Sequence, residues 1–193
     1  MAEPVDRTDR TKHIEPTDRT DRIDRIDRID RIDRIQAEWN RERPDLDVSP
    51  QGIIGRLHRL AGHLTAELTP VYERHGLGEG EFDVLAALRR AGAPFERAPG
   101  ELAAHTMVTT GAMTKRIDRL AEAGFVVRRA AEGDGRRRVV ALTDHGRTVI
   151  DAAFTEHMAN EKRLVADLPA AERARLETIL REWLGHYESP LQR

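Results

Sequence analysis

The sequence predicts a mainly helical domain that carries one small β-hairpin. After residue 50, apolar residues recur at helical spacing through most of the chain. Between Phe125 and Thr143 the pattern changes to two short β-type runs, Phe125-Val126-Val127 and Val139-Val140-Ala141-Leu142-Thr143, around the glycine-containing loop AEGDGRRR. Just before them lie a short helix over about 100–105, a tight turn and a longer helix over about 109–122 closed by Gly124. Helix, turn, helix and basic hairpin within some 45 residues are the order of a winged helix-turn-helix.

The remaining elements follow from the same signals. Residues 1–35 form a low-complexity extension whose unit is DRT or DRI, and residues 36–193 form the organised domain. Within the extension each Asp has an Arg four residues on, as in Asp21–Arg25 and Asp30–Arg34, which supports a helix by about 0.2–0.5 kcal/mol per pair. The isoleucines recur every third residue, so they wind around such a helix instead of forming a stripe. The helix is expected to run through Trp39 and to stop before Pro44.

Ser49-Pro50 starts the next helix, which carries Ile53, Ile54, Leu57, Leu60, Leu64, Leu68 and Val71 and ends near Gly76. A further helix starts near Gly80, buries Phe82, Leu85 and Leu88, and ends at Ala91-Gly92. Thr143 caps a helix over about 144–163. In the last helix Leu176, Ile179, Leu180, Trp183, Leu184 and Tyr187 share one face, which calls for a partner; a second copy of the chain is the expected one.

Composition narrows the function classes. With 32 Lys and Arg against 34 Asp and Glu, the chain has a formal charge of −2, so affinity for nucleic acid must come from uneven placement. Placement is uneven: Lys115, Arg116, Arg119, Arg128, Arg129, Arg136, Arg137 and Arg138 face four acidic residues over 115–138, a local +4. The absence of cysteine excludes disulfides and thiolate metal sites and fits a reducing cytoplasm. No run of 18 apolar residues and no signal peptide are read from the chain. The eight histidines are scattered, and no nucleophile–base spacing, phosphate loop or paired-carboxylate motif stands out. The expectation is therefore no enzyme, no metal and no cofactor.

The helix over 109–122 divides by angle. With Lys115 at zero and about 100° per residue, Met113, Ile117 and Leu120 fall at about 140–200° and define a buried face. Gly111, Lys115 and Arg119 lie on the opposite face, and Thr109, Thr110 and Thr114 lie at or near the N-terminal half that enters a major groove. Thr109, Thr110, Thr114, Lys115 and Arg119, with Arg136 and Arg137 of the hairpin, are the candidate DNA contacts. Hydroxyls and cations suit phosphates and guanine edges, and hairpin arginines suit a minor groove. Arg116, at about 100°, leans toward the apolar side. A helical protein-interaction module that never touches DNA is the competing reading.

Asp134-Gly135-Arg136, followed by Val140-Ala141-Leu142-Thr143 and Gly146, resembles the hairpin signature of the MarR (multiple antibiotic resistance regulator) family. GAMTKRIDRLAEAGFVVRR resembles its recognition helix and first wing strand. The resemblance covers about residues 36–187. It implies a homodimer built from N- and C-terminal helices that binds palindromic duplex DNA, usually represses, and is released by a small ligand. A narrower resemblance is to the urate-responsive branch, through Trp39, Asp83, Arg116 and Arg128. It implies that Trp39 packs on the ligand, that Arg116 pairs with its negative charge, and that Asp83 bonds the ligand or holds Arg128. Citrate-like carboxylates and phenolic compounds are the alternative inducers.

Overall fold

In the computed structural model the described residues are 29–106, 109–131 and 134–188, with the side chains of Thr110 and of 134–137 set aside. The chain divides into one unit ending at Leu60 and one beginning at Ala61.

In the first unit, Asp30 starts helix α1 (Arg31–Glu42). Its carboxylate accepts from the amides of Ile32 (2.7 Å) and Asp33 (3.1 Å), and Asp33 accepts from the amide of Asp30 at 2.9 Å. These reciprocal bonds satisfy amides that the first turn leaves unpaired. The helix runs through Trp39 and ends two residues before Pro44. The predicted Asp30–Arg34 ion pair does not form: the carboxylate of Asp30, turned back to cap the helix, is met by Arg56 Nε at 2.8 Å. The earlier pairs of that series lie outside the described residues.

Helix α2 (Gln51–Glu73) follows Ser49-Pro50, and the Pro50 carbonyl accepts from both Ile53 and Ile54. Within its own unit the early part of its stripe is uncovered, with Ile53, Ile54 and Leu60 all exposed. Pro70 lies inside the helix, near its end.

The second unit contains the core. Helix α3 (Glu79–Arg89) buries Phe82, Val84, Leu85, Ala87 and Leu88. Pro99 opens helix α4 (Pro99–His105), where its missing N–H is harmless. Thr109 caps helix α5 (Thr110–Glu122), whose Met113, Ile117 and Leu120 are each 1% exposed, as the angles require. Gly124, at φ +73°, turns the chain out of α5. These side chains join Val71, Tyr72, Leu102, Val126, Val140 and Ile150 in one apolar cluster.

Three strands, β1 (Glu96–Arg97), β2 (Val126–Ala131) and β3 (Asp134–Leu142), form an antiparallel sheet in the order β1-β3-β2. The β2 and β3 strands are longer than the apolar runs predict, because ladder pairing continues into the arginines. Arg128 stands opposite Val140, and Ala130 opposite Arg138. The next pair is Ala131 with Asp134, so Gly135, Arg136 and Arg137 have no counterpart and bulge from the ladder.

Helix α6 (Asp144–Leu164) starts at Thr143, whose hydroxyl accepts from the Gly146 amide (2.9 Å) and donates to the Gly124 carbonyl (2.8 Å). Gly146 is required there, since a Cβ would fall 1.9 Å from the carbonyl oxygen of Phe125. Helix α7 (Ala170–Gly185) buries no residue, and Leu176, Ile179, Leu180, Leu184 and Tyr187 of its predicted stripe are exposed.

Candidate nucleic-acid interface and anion site

The outward face of α5 is assembled as the angles indicate, but its charges are sorted by pairing. Lys115 is exposed and, among the described residues, has no ion pair. An added Cβ on Gly111 would meet nothing within 4 Å, which leaves that turn open to close approach. Thr109 spends its hydroxyl oxygen on the Ala112 amide at 3.3 Å, so it holds the helix start. Arg119 is bound by Glu81 of α3, with Nε at 2.8 Å from the carboxylate. It remains exposed, but a phosphate would have to share it with Glu81.

On the hairpin, Arg128 bonds Asp118 of α5 at 2.6 Å and reaches the Thr114 carbonyl at 3.5 Å. Arg129 bonds Glu96 of β1 at 2.6 Å. Of the two roles expected for Asp83, bonding the ligand or holding Arg128, the second is not seen: Arg128 pairs with Asp118 of α5. These three ion pairs neutralise cations that sequence counting leaves free. Arg138 is exposed and without an ion pair among the described residues. Arg136 and Arg137 are placed by their backbone in the bulge.

Arg116 behaves differently from its neighbours. It is half-buried, and its guanidinium lies against the α3 backbone at Gly80, where an added Cβ would stand 2.3 Å from Cζ. Its Nη1 atom is buried and has no hydrogen-bond partner. Asp83, one turn along α3, has no ion pair or hydrogen bond among the described residues. Desolvation, then the charge of Glu79, raises its carboxyl above the ordinary range, against the opposing pull of Arg116, Arg90 and His157. Beside it, Tyr72 accepts or donates at 3.2 Å to His157 Nδ1, whose Nε2 lies 3.1 Å from Glu161. Burial pushes the Tyr72 hydroxyl up to about 12. Sequence reasoning missed this Tyr–His–Glu chain: His157 and Glu161 stand four apart on α6, but Tyr72 comes from α2 and no local spacing links it to them.

Among the described residues, one surface cavity of about 410 Å³ opens beside Leu77, Glu81 and Arg119, and another of about 330 Å³ beside Arg89, Ile150 and Phe154. Arg116 and Asp83 line neither of these two cavities. Trp39 belongs to the first unit and is 46% exposed. Among the described residues no group of three His, Cys, Asp or Glu could hold a metal ion. No described helix is long and apolar enough to cross a membrane.

A buried-face helix presenting small and basic residues, followed by a three-stranded sheet with an arginine bulge, defines a winged-helix regulator. The sequence model of the MarR family matches residues 75–137. HTH-type transcriptional regulator PecS of Dickeya dadantii is 37% identical over 146 residues, spanning 76% of this chain and 88% of that protein. HTH-type transcriptional repressor Rv2887 of Mycobacterium tuberculosis is 32% identical over 143 residues, spanning 72% and 96%. Among solved structures, a mutant Escherichia coli MarR complexed with operator DNA aligns with TM-score 0.61 at 28% identity, covering 72% of this chain and 99% of that one. The chain belongs to the MarR family of transcriptional regulators.

Proposed function

We propose that the chain is a homodimeric repressor that binds palindromic duplex DNA through α5 and the β2–β3 hairpin, and that a small organic anion releases it at Arg116. The observation that carries the anion is the guanidinium itself. Its Nη1 is sealed from water without a partner, which is costly for a cation unless a ligand completes it. The flat approach along Gly80 leaves a fork suited to a bidentate contact. Asp83, one turn along α3 from Gly80, supplies a carboxylate oxygen that can accept from a ligand N–H. The resemblance to the urate-responsive branch gives Trp39 the ring face of the ligand, which favours a planar anion such as urate over a citrate-like carboxylate; a phenolic compound is the remaining alternative.

Repression and release follow from α5 carrying both surfaces. A ligand that draws Arg116 also moves Lys115 and, through Asp118–Arg128, the hairpin. Shifts of about 1–2 Å suffice when two half-sites must be met at once. The ligand acts only by binding the DNA-free arrangement more tightly. The uncovered stripe of α7 supports pairing of two copies.

The test is binding to the DNA upstream of the gene, with and without millimolar urate, for the native chain and Arg116→Ala. Urate is expected to weaken native binding while a neutral purine does not, and the variant should bind DNA but ignore urate. An unchanged response in the variant would refute the Arg116 site.

A further inference from the structure

Residues 30–36, Asp-Arg-Ile-Asp-Arg-Ile-Gln, rest on the start of α2 through contacts that repeat with the sequence. Arg56 spans two carboxylates, Asp30 at 2.8 Å and Asp33 at 2.7 Å. Ile32 is 6% exposed and fills the notch left by Gly55, where an added Cβ would fall 2.9 Å from its Cδ1. Gln36 donates from Nε2 to the Val48 carbonyl at 2.9 Å. By contrast Ile29, one triplet earlier, is 70% exposed.

The first three contacts do not specify a register. Asp-Arg-Ile-Asp occurs at 21–24, 24–27, 27–30 and 30–33, and every copy offers the same two carboxylates, the same isoleucine and the same Asp-x-x-Asp capping box. Gln36 is what differs. If the helix slipped by one triplet, Asp33 would stand where Gln36 stands. Its carboxylate only accepts and would face the carbonyls of Val48 and Ser49.

We propose that Arg56 and Gly55 form a reader for the Asp-Arg-Ile-Asp unit, that the copies within 21–30 are alternative occupants of the same surface, and that Gln36 is the key that selects the last copy. The repeat is then a sliding arm with a fixed stop. Each slipped triplet displaces α1 by about 4.5 Å and turns it by about 60°, carrying Trp39 with it. The number of upstream triplets is immaterial to docking, because residues 30–36 supply every contact named.

The test is Asp33→Gln in the full chain. This substitution breaks the native string at 30–36 and recreates the whole seven-residue string at 27–33. Amide hydrogen exchange should show new protection at residues 31–33, as the helix start moves to Asp27. The chain has no cysteine, so Ile29→Cys introduces a single thiol and gives a second readout. That thiol should label quickly in the otherwise native chain and on the order of tenfold more slowly beside Asp33→Gln. Exchange over residues 61–188 should match the native chain and reports that the variant is folded. Loss of protection at 34–36 with no gain at 31–33, or an unchanged rate of thiol labelling, overturns the proposal. Should Asp33→Gln fail to fold, Gln36→Asp sets the same carboxylate before the Val48 and Ser49 carbonyls in the native register as in the slipped one, and thiol labelling that does not slow in it overturns the proposal equally.

Discussion

Gly80→Ala separates the anion site from the stability of the fold. The new methyl carbon would stand 2.3 Å from Arg116 Cζ and 2.4 Å from Nε. Carbon contacts are comfortable at about 3.5–4.0 Å, so the guanidinium must retreat by more than about 1 Å. It is the far end of a flexible side chain, and the backbone need not follow. Alanine in the first turn of α3 meanwhile gains up to about 1 kcal/mol of helix propensity over glycine. A hydrogen bond to a charged group is worth about 1.5–3 kcal/mol, so misplacing the guanidinium should weaken anion affinity about 10- to 150-fold. Thermal unfolding and fluorescence-anisotropy titration of a labelled operator with urate measure the two effects on one sample. The expected result is an unchanged or higher melting temperature, native DNA affinity, and a release midpoint moved to much higher urate. Release at the native urate concentration would refute the assignment of Arg116 and its approach along Gly80.

Other consequences are equally direct. Thr143→Ala removes the cap of α6 and should cost about 1 kcal/mol, a fall of about 2–4 °C in melting temperature, whereas Thr143→Ser should restore most of it. The Asp30 carboxyl is held at about 2 by Arg56 and by the amide of Asp33, below its unfolded value. Its stabilisation of the arm should therefore be complete above about pH 4 and lost as the pH falls toward about 2, read from the Ile32 methyl shifts; Arg56→Gln should blunt that transition. Asp83 has the opposite sign: its folded pKa is raised, so the folded state holds the proton longer and stability declines as pH rises through that raised value. Asp83→Asn should raise the melting temperature at neutral pH and flatten this dependence. Leu184→Glu on the exposed stripe of α7 should give a monomer by sedimentation and lose operator affinity; a stable dimer would remove α7 from the interface.

Much of this organisation is legible in the sequence because it is local. Met113, Ile117 and Leu120 mark the buried face of α5 by spacing alone, and Thr143 and Gly124 mark their caps by residue type. The inward lean of Arg116 is visible as an angle, though not the Gly80 backbone that receives it. The two residues of β1 leave no periodic signal; Glu96 and Arg97 are a strand only because they lie beside Ala141 and Val140. The pairing of Arg119 with Glu81 and of Arg128 with Asp118 depends on which elements pack together, and no local pattern encodes it. Counting cations therefore overstates the charge left for phosphates. The bulge at 135–137 is hidden for a similar reason: a turn-rich Gly-Asp-Gly reads as loop, while only the ladder partners show that Arg138 is paired and Arg136 and Arg137 are not.

The most direct test of the account is the salt dependence of binding to the upstream duplex. If Lys115, Arg136, Arg137 and Arg138 of each of two subunits neutralise one phosphate apiece, log K should fall with log salt at a slope of about −7. Urate should lower the affinity at every salt concentration. A steep slope together with urate release is the predicted result. Absence of binding even at low salt, or binding with no slope, would contradict the assignment of α5 and the hairpin to DNA.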